Sequence, residues 1–391
     1  MFCLTYLLFV ASAYAVLLPN ATGPYSVGVS VHTLTDATRM DPYAPDDKPH
    51  ERKVLISAFV PLNSTTTPCV SRSTLYMTPL VARDYDTLAA SAGLSNETFT
   101  SLRMQLCDIP RGKSCFNGHG QRPDISKPSR PLLLFSPGFG QSRLLYGAMA
   151  RSLASEGYVV ITVDHPYDAS VVEFPDGSFT RAANISTDDI AALEMVIQVR
   201  ASDISFVIDQ LQNVTALRQS IDHSAVRIDF DRIIMYGHSL GGAAAAATML
   251  SDKRIRGGVN LDGRFFSPVK ELGLERPFLD IGRPNHRSDD PTWDEFQQSM
   301  RAQSIELAIA GTTHSSFTDY PLIVSALGLT ETAKKSLEDF LGTGQWDRVG
   351  DIIKRLVVAF DDLVFEHKTP KILQGADTKF PEVELVRSKP S

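Results

Sequence analysis

An α/β fold, with a mostly parallel central sheet and helices on both faces, is the fold class that the sequence predicts. Two observations support this prediction. From residue 131 onwards, short and nearly continuous apolar runs alternate with longer segments whose apolar residues recur at helical spacing. The chain has 391 residues, 43% of them hydrophobic and 21% charged, which is enough to bury one large core. Strands that alternate with helices in this way are typical of a parallel sheet covered on both sides.

Each element of this pattern can be placed along the chain. Buried strands are predicted at residues 132–136, 158–163, 233–236, 257–261, 277–281 and 305–310. Helices are predicted at residues 144–155, 188–211, 243–251, 293–302 and 351–364. Two further strands, at residues 26–31 and 54–59, are expected to extend the sheet at its edge.

The chain is predicted to form one catalytic domain behind a removable leader. Residues 1–15 form an apolar run of signal-peptide length that ends in the small-residue pattern of a cleavage site. Because no basic segment precedes the run, an N-terminal anchor is the alternative, although the run is short for a membrane span. Residues 16–391 would be the domain. They comprise a Cys-containing, lid-like insertion at 61–128 in which no element is predicted, a catalytic core at 131–366 and a tail at 367–391.

Asparagine sequons support a secretory route. Five N-x-S/T acceptors would carry sugar only in a chain that enters that route, namely Asn20, Asn63, Asn96, Asn184 and Asn213. Together with the leader they predict a secreted glycoprotein, with a vacuolar or other lumenal site as the alternative. An oxidising compartment would allow one disulfide, and spacing leaves the pair open among Cys69, Cys107 and Cys115. The polar C-terminal end argues against a lipid anchor, and no later run has the length of a spanning helix.

Composition argues against nucleic acid and metal as partners. The net charge is −7 and the pI is near 5.7, and the basic residues form no long block. A zinc site is disfavoured because the sequence contains no CxxC or HxxxH pattern. No metal and no cofactor are therefore expected.

A serine nucleophile is predicted at Ser239. The apolar run before it leads directly into GHSLGG and then into an Ala-rich helix, which is the strand-turn-helix context of a nucleophile elbow in the α/β-hydrolase fold. The turn needs tiny residues two positions before and after the serine, and Gly237 and Gly241 occupy them. A hydrolase fold that is used only for binding is the alternative.

The serine needs a base and an acid that follow it in the order Ser, acid, His. His314 comes directly after the last strong strand and is the expected base; His286 and His367 are the other histidines after Ser239 and are expected to be surface residues. Two carboxylates remain open as the acid. Asp280 has the commoner position in the fold, whereas Asp262 stands immediately past its apolar run.

An oxyanion hole is predicted from two backbone amides. One is the amide of Leu240, after the nucleophile. The other is the amide of Phe139, in the turn SPGFGQSR, where Gly138 and Gly140 let the backbone point inward. An ordinary strand-to-helix turn is the alternative.

These residues resemble the platelet-activating-factor acetylhydrolase family, plasma and intracellular type II, and the chain looks like a secreted fungal-type member. The resemblance runs from GPYSVG to FPEV and includes SPGFGQSRLLYGAMARSLASEGYVVITVDHP, VRASDISFVIDQL and GHSLGG. It implies Asp262 as the acid, 23 residues after the serine, and His314 within H-x-x-F as the base. It also implies the Phe139 and Leu240 amides as oxyanion donors. Pro137 departs from the family, in which many members carry histidine, and the 61–128 insertion departs from the vertebrate pattern.

By this resemblance the expected activity is hydrolysis of short sn-2 acyl esters of phospholipids, as in a 1-alkyl-2-acetylglycerophosphocholine esterase. It needs no metal and implies weak contact with lipid surfaces through apolar patches. Two alternatives remain: an esterase for a secreted metabolite or polyester, and a non-catalytic ester- or lipid-binding homologue.

Overall fold

The computed structural model describes residues 15–62, 69–109, 127–213 and 226–390, together with residues 217 and 221. Within these ranges a twelve-stranded mixed sheet forms the centre of the molecule. The strands in chain order are β1 (Val16–Leu17), β2 (Ser26–Met40), β3 (Glu51–Leu62), β4 (Ser71–Leu75), β5 (Leu102–Cys107), β6 (Ser129–Ser136), β7 (Val159–Asp164), β8 (Val171–Glu173), β9 (Phe179–Arg181), β10 (Arg227–His238), β11 (Gly257–Leu261), β12 (Phe278–Gly282), β13 (Ser304–Ile309) and β14 (Val383–Lys389). Strands β8 and β9 pair separately as a small hairpin.

The described helices are also numbered in chain order. They are α1 (Pro79–Ser91), α2 (Thr98–Ser101), α3 (Gly147–Ser155), α4 (Ile190–Gln212), α5 (Leu240–Ser251), α6 (Val269–Leu272), α7 (His286–Asp289), α8 (Thr292–Ser299), α9 (Tyr320–Ala326), α10 (Glu331–Lys335), α11 (Glu338–Leu341) and α12 (Trp346–Glu366). Short 3₁₀ turns are Arg143–Tyr146, His314–Phe317 and Lys371–Gln374. No described helix combines the length and the apolar character needed to cross a membrane.

The strand order across the sheet is β1-β5-β2-β3-β7-β6-β10-β11-β12-β13-β14, with β4 paired to β5. The run from β7 to β13 is parallel, and β3 and β14 border it in antiparallel orientation. This arrangement confirms the predicted fold class. The six predicted core strands correspond to β6, β7 and β10 to β13, and the five predicted helices correspond to α3, α4, α5, α8 and α12.

The core explains why these strands are apolar throughout. Successive residues of a strand point to opposite faces of the sheet. In β6, Leu133 and Phe135 pack into the apolar layer formed with α3 and α12, whereas Leu132 and Leu134 pack into the layer formed with α4 and α5. Both faces of the parallel strands are therefore buried.

Two segments differ from the sequence-based expectation. Within 61–128, residues 69–107 form β4, α1, α2 and β5, and β5 lies between β1 and β2 in the central sheet. A disulfide between Cys69 and Cys107 joins this unit, while Cys115 lies outside the described residues. Within 367–391, β14 pairs with β13. The sequence pattern does not predict these two strands. Strand β14 is largely exposed, and in β5 the alternation of buried and half-buried residues is short.

Candidate active site

Ser239 lies at the sharp turn between β10 and α5. Its backbone has φ 56° and ψ −124°, a strained conformation for a residue with a side chain. The Ser239 amide donates to the carbonyl of Leu261 at the end of β11, with an N–O distance of 2.9 Å. The serine thus stands at the carboxyl end of the parallel strands and at the N-terminus of a helix, where developing negative charge is favoured.

Two glycines make this turn possible. A Cβ atom at Gly237 would lie 2.2 Å from the backbone of Gly241, and a Cβ atom at Gly241 would lie 1.9 Å from the carbonyl oxygen of Ser136. Both distances are far shorter than van der Waals contact. Any side chain at either position would push the strand and the helix apart.

Asp262 and His314 are brought together beside the serine turn. Asp262 follows β11 directly, and its Oδ2 lies 2.7 Å from Nδ1 of His314 in the 3₁₀ turn after β13. The Asp262 side chain is fully buried, whereas that of His314 is 49% exposed. Because an ionised carboxylate only accepts, Nδ1 of His314 is the protonated nitrogen and Nε2 carries the lone pair.

Asp262 holds a second histidine that the sequence did not identify. Nδ1 of His286 lies 2.7 Å from Asp262 Oδ1, and the Arg283 amide donates to the same oxygen at 2.9 Å. His286 was expected to be a surface residue, and this expectation is wrong: the residue is buried, with its ring stacked on Trp293. The sequence held one weak sign of this role: Asp290 follows His286 by four residues, a spacing at which the two side chains can pair.

These contacts set the charge of the carboxylate. Burial alone would raise the pKa of Asp262, but hydrogen bonds from His286 and His314 hold it well below its ordinary value. Asp262 is therefore ionised over the whole physiological range and can orient and stabilise a charged imidazole.

Asp280 and His367, the other candidates for the acid and the base, contact different parts of the fold. Asp280 is fully buried in β12 and accepts hydrogen bonds from Asn260 at 3.2 Å and from Gln297 at 2.8 Å. Burial, followed by the nearby Glu306 carboxylate, raises the pKa of Asp280 to about 7. His367 is exposed and caps the C-terminus of α12 in a left-handed conformation.

The turn that contains Phe139 lies between β6 and α3. In this turn, the Gly138 amide donates to the Tyr146 hydroxyl at 3.2 Å and the Gln141 amide donates to the Gly138 carbonyl at 3.2 Å. The Phe139 amide has no partner among the described residues. Leu240 is the first residue of α5, so no carbonyl of its own helix can accept from its amide. Both amides are thus left available.

A buried ion pair holds that turn from behind. Arg200 of α4 binds the Asp168 carboxylate through Nε at 2.6 Å and through Nη2 at 2.7 Å. Its Nη1 donates to the Ser136 hydroxyl at 3.1 Å and to the Pro137 carbonyl. Sequence reasoning missed Arg200, because an arginine within an amphipathic helix carries no sign of its partner.

His238 connects the serine turn to the segment of the base. Its Nε2 lies 3.0 Å from the carbonyl oxygen of His314, to which it donates, and its Nδ1 lies 2.8 Å from the Tyr146 hydroxyl. Burial and the neighbouring His314 lower the pKa of His238 to about 3, so its ring is neutral.

Other predicted features fall on the surface or outside the described ranges. Four of the five sequon asparagines are exposed, namely Asn20, Asn96, Asn184 and Asn213. Asn63 and residues 1–14 of the expected leader lie outside the described residues. No group of three or more metal-ligating side chains that could hold an ion occurs in the described part of the chain.

Comparisons with known proteins bear on the fold and the enzyme class of this chain. The family model described as platelet-activating factor acetylhydrolase, isoform II, matches residues 89–175 and 180–340. A probable 1-alkyl-2-acetylglycerophosphocholine esterase of Arthroderma benhamiae is 31% identical, over 94% of this chain and 93% of that protein. The platelet-activating factor acetylhydrolase of Bos taurus is 27% identical over 50% of each chain.

A solved structure supports the same class. The ferulic acid esterase of Streptomyces cinnamoneus superposes with a TM-score of 0.74 at 27% identity, over 95% of this chain and 100% of that one. The family match, the named relatives and the fold together show that this chain is a carboxylic ester hydrolase. It belongs to the platelet-activating factor acetylhydrolase, isoform II, family.

Proposed function

We propose that the chain is a secreted serine esterase that removes short sn-2 acyl groups from phospholipids such as 1-alkyl-2-acetylglycerophosphocholine. The observation that carries the proposal is the 2.7 Å contact between Asp262 and His314 next to the strained Ser239 turn. The name of the Arthroderma relative, which matches nearly the whole chain, supports the acetyl phospholipid as substrate.

In this mechanism Ser239 Oγ attacks the ester carbonyl and His314 Nε2 accepts its proton. Asp262 keeps the proton of the neutral ring on Nδ1 and stabilises the imidazolium that forms. The amides of Phe139 and Leu240 donate to the oxyanion of the tetrahedral intermediate, each contributing about 3–4 kcal/mol by analogy with mutated oxyanion donors. His314 then protonates the leaving lysophospholipid oxygen. Water, activated by the same ring, releases the acyl group as a carboxylate.

The surroundings of the two amides favour an apolar acyl group. Leu240 packs in an apolar cluster with Leu193 and Ile197 of α4 and with Phe266, and Phe139 borders this cluster. Two further side chains on α4, Ile190 and Met195, are 41% and 57% exposed. Weak contact with a lipid surface through such residues is part of the proposal.

Secretion is proposed on three grounds. They are the leader-like run at the start of the chain, the exposure of four sequon asparagines, and the disulfide between Cys69 and Cys107. A vacuolar destination would share all three. The test is expression in a eukaryotic secretory host, where the medium should contain a glycosylated chain that begins near residue 16.

The substrate assignment is tested with three esters and the mature chain. Acetate release from a 2-acetyl phospholipid and from p-nitrophenyl acetate is compared with fatty-acid release from a long-chain phospholipid, with Ser239→Ala as control. Efficient turnover of the acetyl phospholipid, a spared long chain and an inactive mutant are expected. If only p-nitrophenyl acetate is cleaved, the lipid assignment is wrong although the triad stands.

A second candidate is an esterase for a secreted metabolite or polyester. The superposition on a ferulic acid esterase over the full length of that structure favours an ester of an aromatic acid. Methyl ferulate, added as a fourth substrate, separates the two candidates: preference for it over the acetyl phospholipid would select the second. Binding of esters with no turnover by the folded chain would instead indicate a non-catalytic homologue.

A further inference from the structure

The carboxylate of Asp262 bridges two imidazoles. One oxygen, Oδ2, is 2.7 Å from His314 Nδ1, and the other, Oδ1, is 2.7 Å from His286 Nδ1. The proposed triad of Ser239, His314 and Asp262 uses only the first contact. A carboxylate between two rings makes the charge on one ring relevant to the charge on the other.

The surroundings of His286 favour the protonated, positively charged form of its ring. Its Nδ1 faces Asp262, and its Nε2 faces the second carboxylate, Asp290 Oδ2, at 3.4 Å. The ring also stacks on Trp293 with centroids 4.0 Å apart, a contact that favours a cation over an indole face. Burial works against the charged ring, yet the hydrogen bonds to Asp262 and Asp290 raise the pKa of His286 to about 9.

Other charged groups surround this ring. From β12 comes Asp280, from the loop after β12 comes Arg283, whose Nε is 3.6 Å from Asp262 Oδ2, and α7 itself adds Arg287 and Asp289. Arg283 is paired with Asp289 at 2.7 Å, and Arg287 lies 3.2 Å from Asp294. Asp262 and Asp290 are the two carboxylates that lie within hydrogen-bonding distance of the ring nitrogens, and their hydrogen bonds act against the effect of burial.

Gly282 leaves the space that this arrangement needs, because it has no side chain. A Cβ atom at Gly282 would lie 2.9 Å from the Trp293 ring, 3.3 Å from His286 and 3.4 Å from Asp262 Oδ1. Trp293 in turn donates from its indole nitrogen to the Gly263 carbonyl at 2.7 Å. Trp293, which this hydrogen bond holds in place, thus supports one face of the His286 ring.

From this geometry we infer that His286 is a cationic positioning residue, which fixes Asp262 and extends the activity of the esterase to mildly acidic pH. The inference rests on the proposed triad. A fixed positive charge on the far side of Asp262 disfavours a second positive charge on His314. The transfer of the Ser239 proton needs a neutral His314 ring, so the cation at His286 favours activity at mildly acidic pH.

The test is the pH profile of kcat/KM for a soluble acetyl ester, measured from about pH 4 to about pH 9, the range in which histidines titrate. His286→Asn keeps an N–H donor near Asp262 Oδ1 but removes the charge. Its acid limb is expected to move up by about one pH unit, with a smaller loss of the plateau value. His367→Asn is the matched control, because this exposed residue has the left-handed backbone that asparagine tolerates.

Asp290→Asn gives a second route to the same answer if His286→Asn does not fold. It leaves the ring and the Oδ1 acceptor for Thr292 in place but removes one of the two negative charges on His286. Its acid limb is expected to move down by less than the His286→Asn limb moves up, because Asp262 keeps His286 protonated and the loss of a negative charge disfavours a charged His314. Acid limbs that superimpose on the wild type in folded protein would overturn the inference. If Ser239→Ala is inactive in that case, the triad stands; an active Ser239→Ala would instead refute the triad.

Discussion

Asp262 Oδ2 and His314 Nδ1 are 2.7 Å apart, although 52 residues separate them in the chain. The contact forms because β11 and the turn after β13 open at the same edge of the parallel sheet. It fixes which nitrogen of His314 carries the proton, and that choice decides whether the opposite nitrogen can act as a base.

The first prediction concerns that contact. Asp262→Asn should lower kcat by about 10⁴-fold, because an amide can stabilise the wrong tautomer and cannot stabilise the imidazolium. Asp280→Asn is the matched control, since this carboxyl contacts Asn260 and Gln297, and it should keep kcat within a few-fold of wild type. Steady-state kinetics on p-nitrophenyl acetate checks both variants. The acid would be reassigned if the two effects were exchanged.

The second prediction concerns the serine turn. Gly241→Ala should abolish activity or folding, because its Cβ atom would lie 1.9 Å from the Ser136 carbonyl. Gly350→Ala, on an exposed turn of α12 with open space around it, should stabilise the protein by about 0.5–1 kcal/mol. Thermal unfolding and activity of the two variants are the measurements. A soluble Gly241→Ala with normal kcat would contradict the packing argument.

Some of these residues could be predicted from the sequence and others could not. Ser239 and its glycines could be identified because a nucleophile elbow is local: its strand, turn and helix are consecutive in the chain. The contact of Asp262 with His286, and that of Arg200 with Asp168, depend on how distant helices and loops come together at the sheet edge. No local pattern marks them, so they could not be predicted. Strand β5 was missed because its alternation of buried and half-buried residues is short and its partners β1, β2 and β4 all lie earlier in the chain.

The third prediction concerns the support of the oxyanion turn. Arg200→Lys should lower kcat by about tenfold or more with little change in KM, because a lysine cannot bind Asp168 with two nitrogens while also reaching the Pro137 carbonyl. Arg348→Lys, at a half-exposed pair with Glu382, is the control and should behave as wild type. A raised KM with unchanged kcat would mean that Arg200 supports binding and not the transition state.

The fourth prediction concerns stability and pH. The pKa of Asp280 is raised to about 7 in the folded protein, above its value in the unfolded chain, so the folded state binds the extra proton. Its contribution to stability is present at pH below about 4 and is lost as pH rises towards about 7. Asp280→Asn lacks this titration. Its free energy of unfolding relative to wild type should therefore improve between about pH 4 and pH 7 in urea titrations. Parallel profiles would contradict the buried, protonated carboxyl.

The most direct test of the proposed mechanism is covalent labelling of the nucleophile. Wild-type protein and the variants Ser239→Ala and His314→Ala would be treated with a fluorophosphonate, and the labelled peptide mapped by mass spectrometry alongside residual esterase activity. We expect a single label on Ser239, loss of activity in proportion to labelling, no label in Ser239→Ala and strongly slowed labelling in His314→Ala. Full inactivation with the label on another residue, or full activity in Ser239→Ala, would contradict the assignment of Ser239 as the nucleophile.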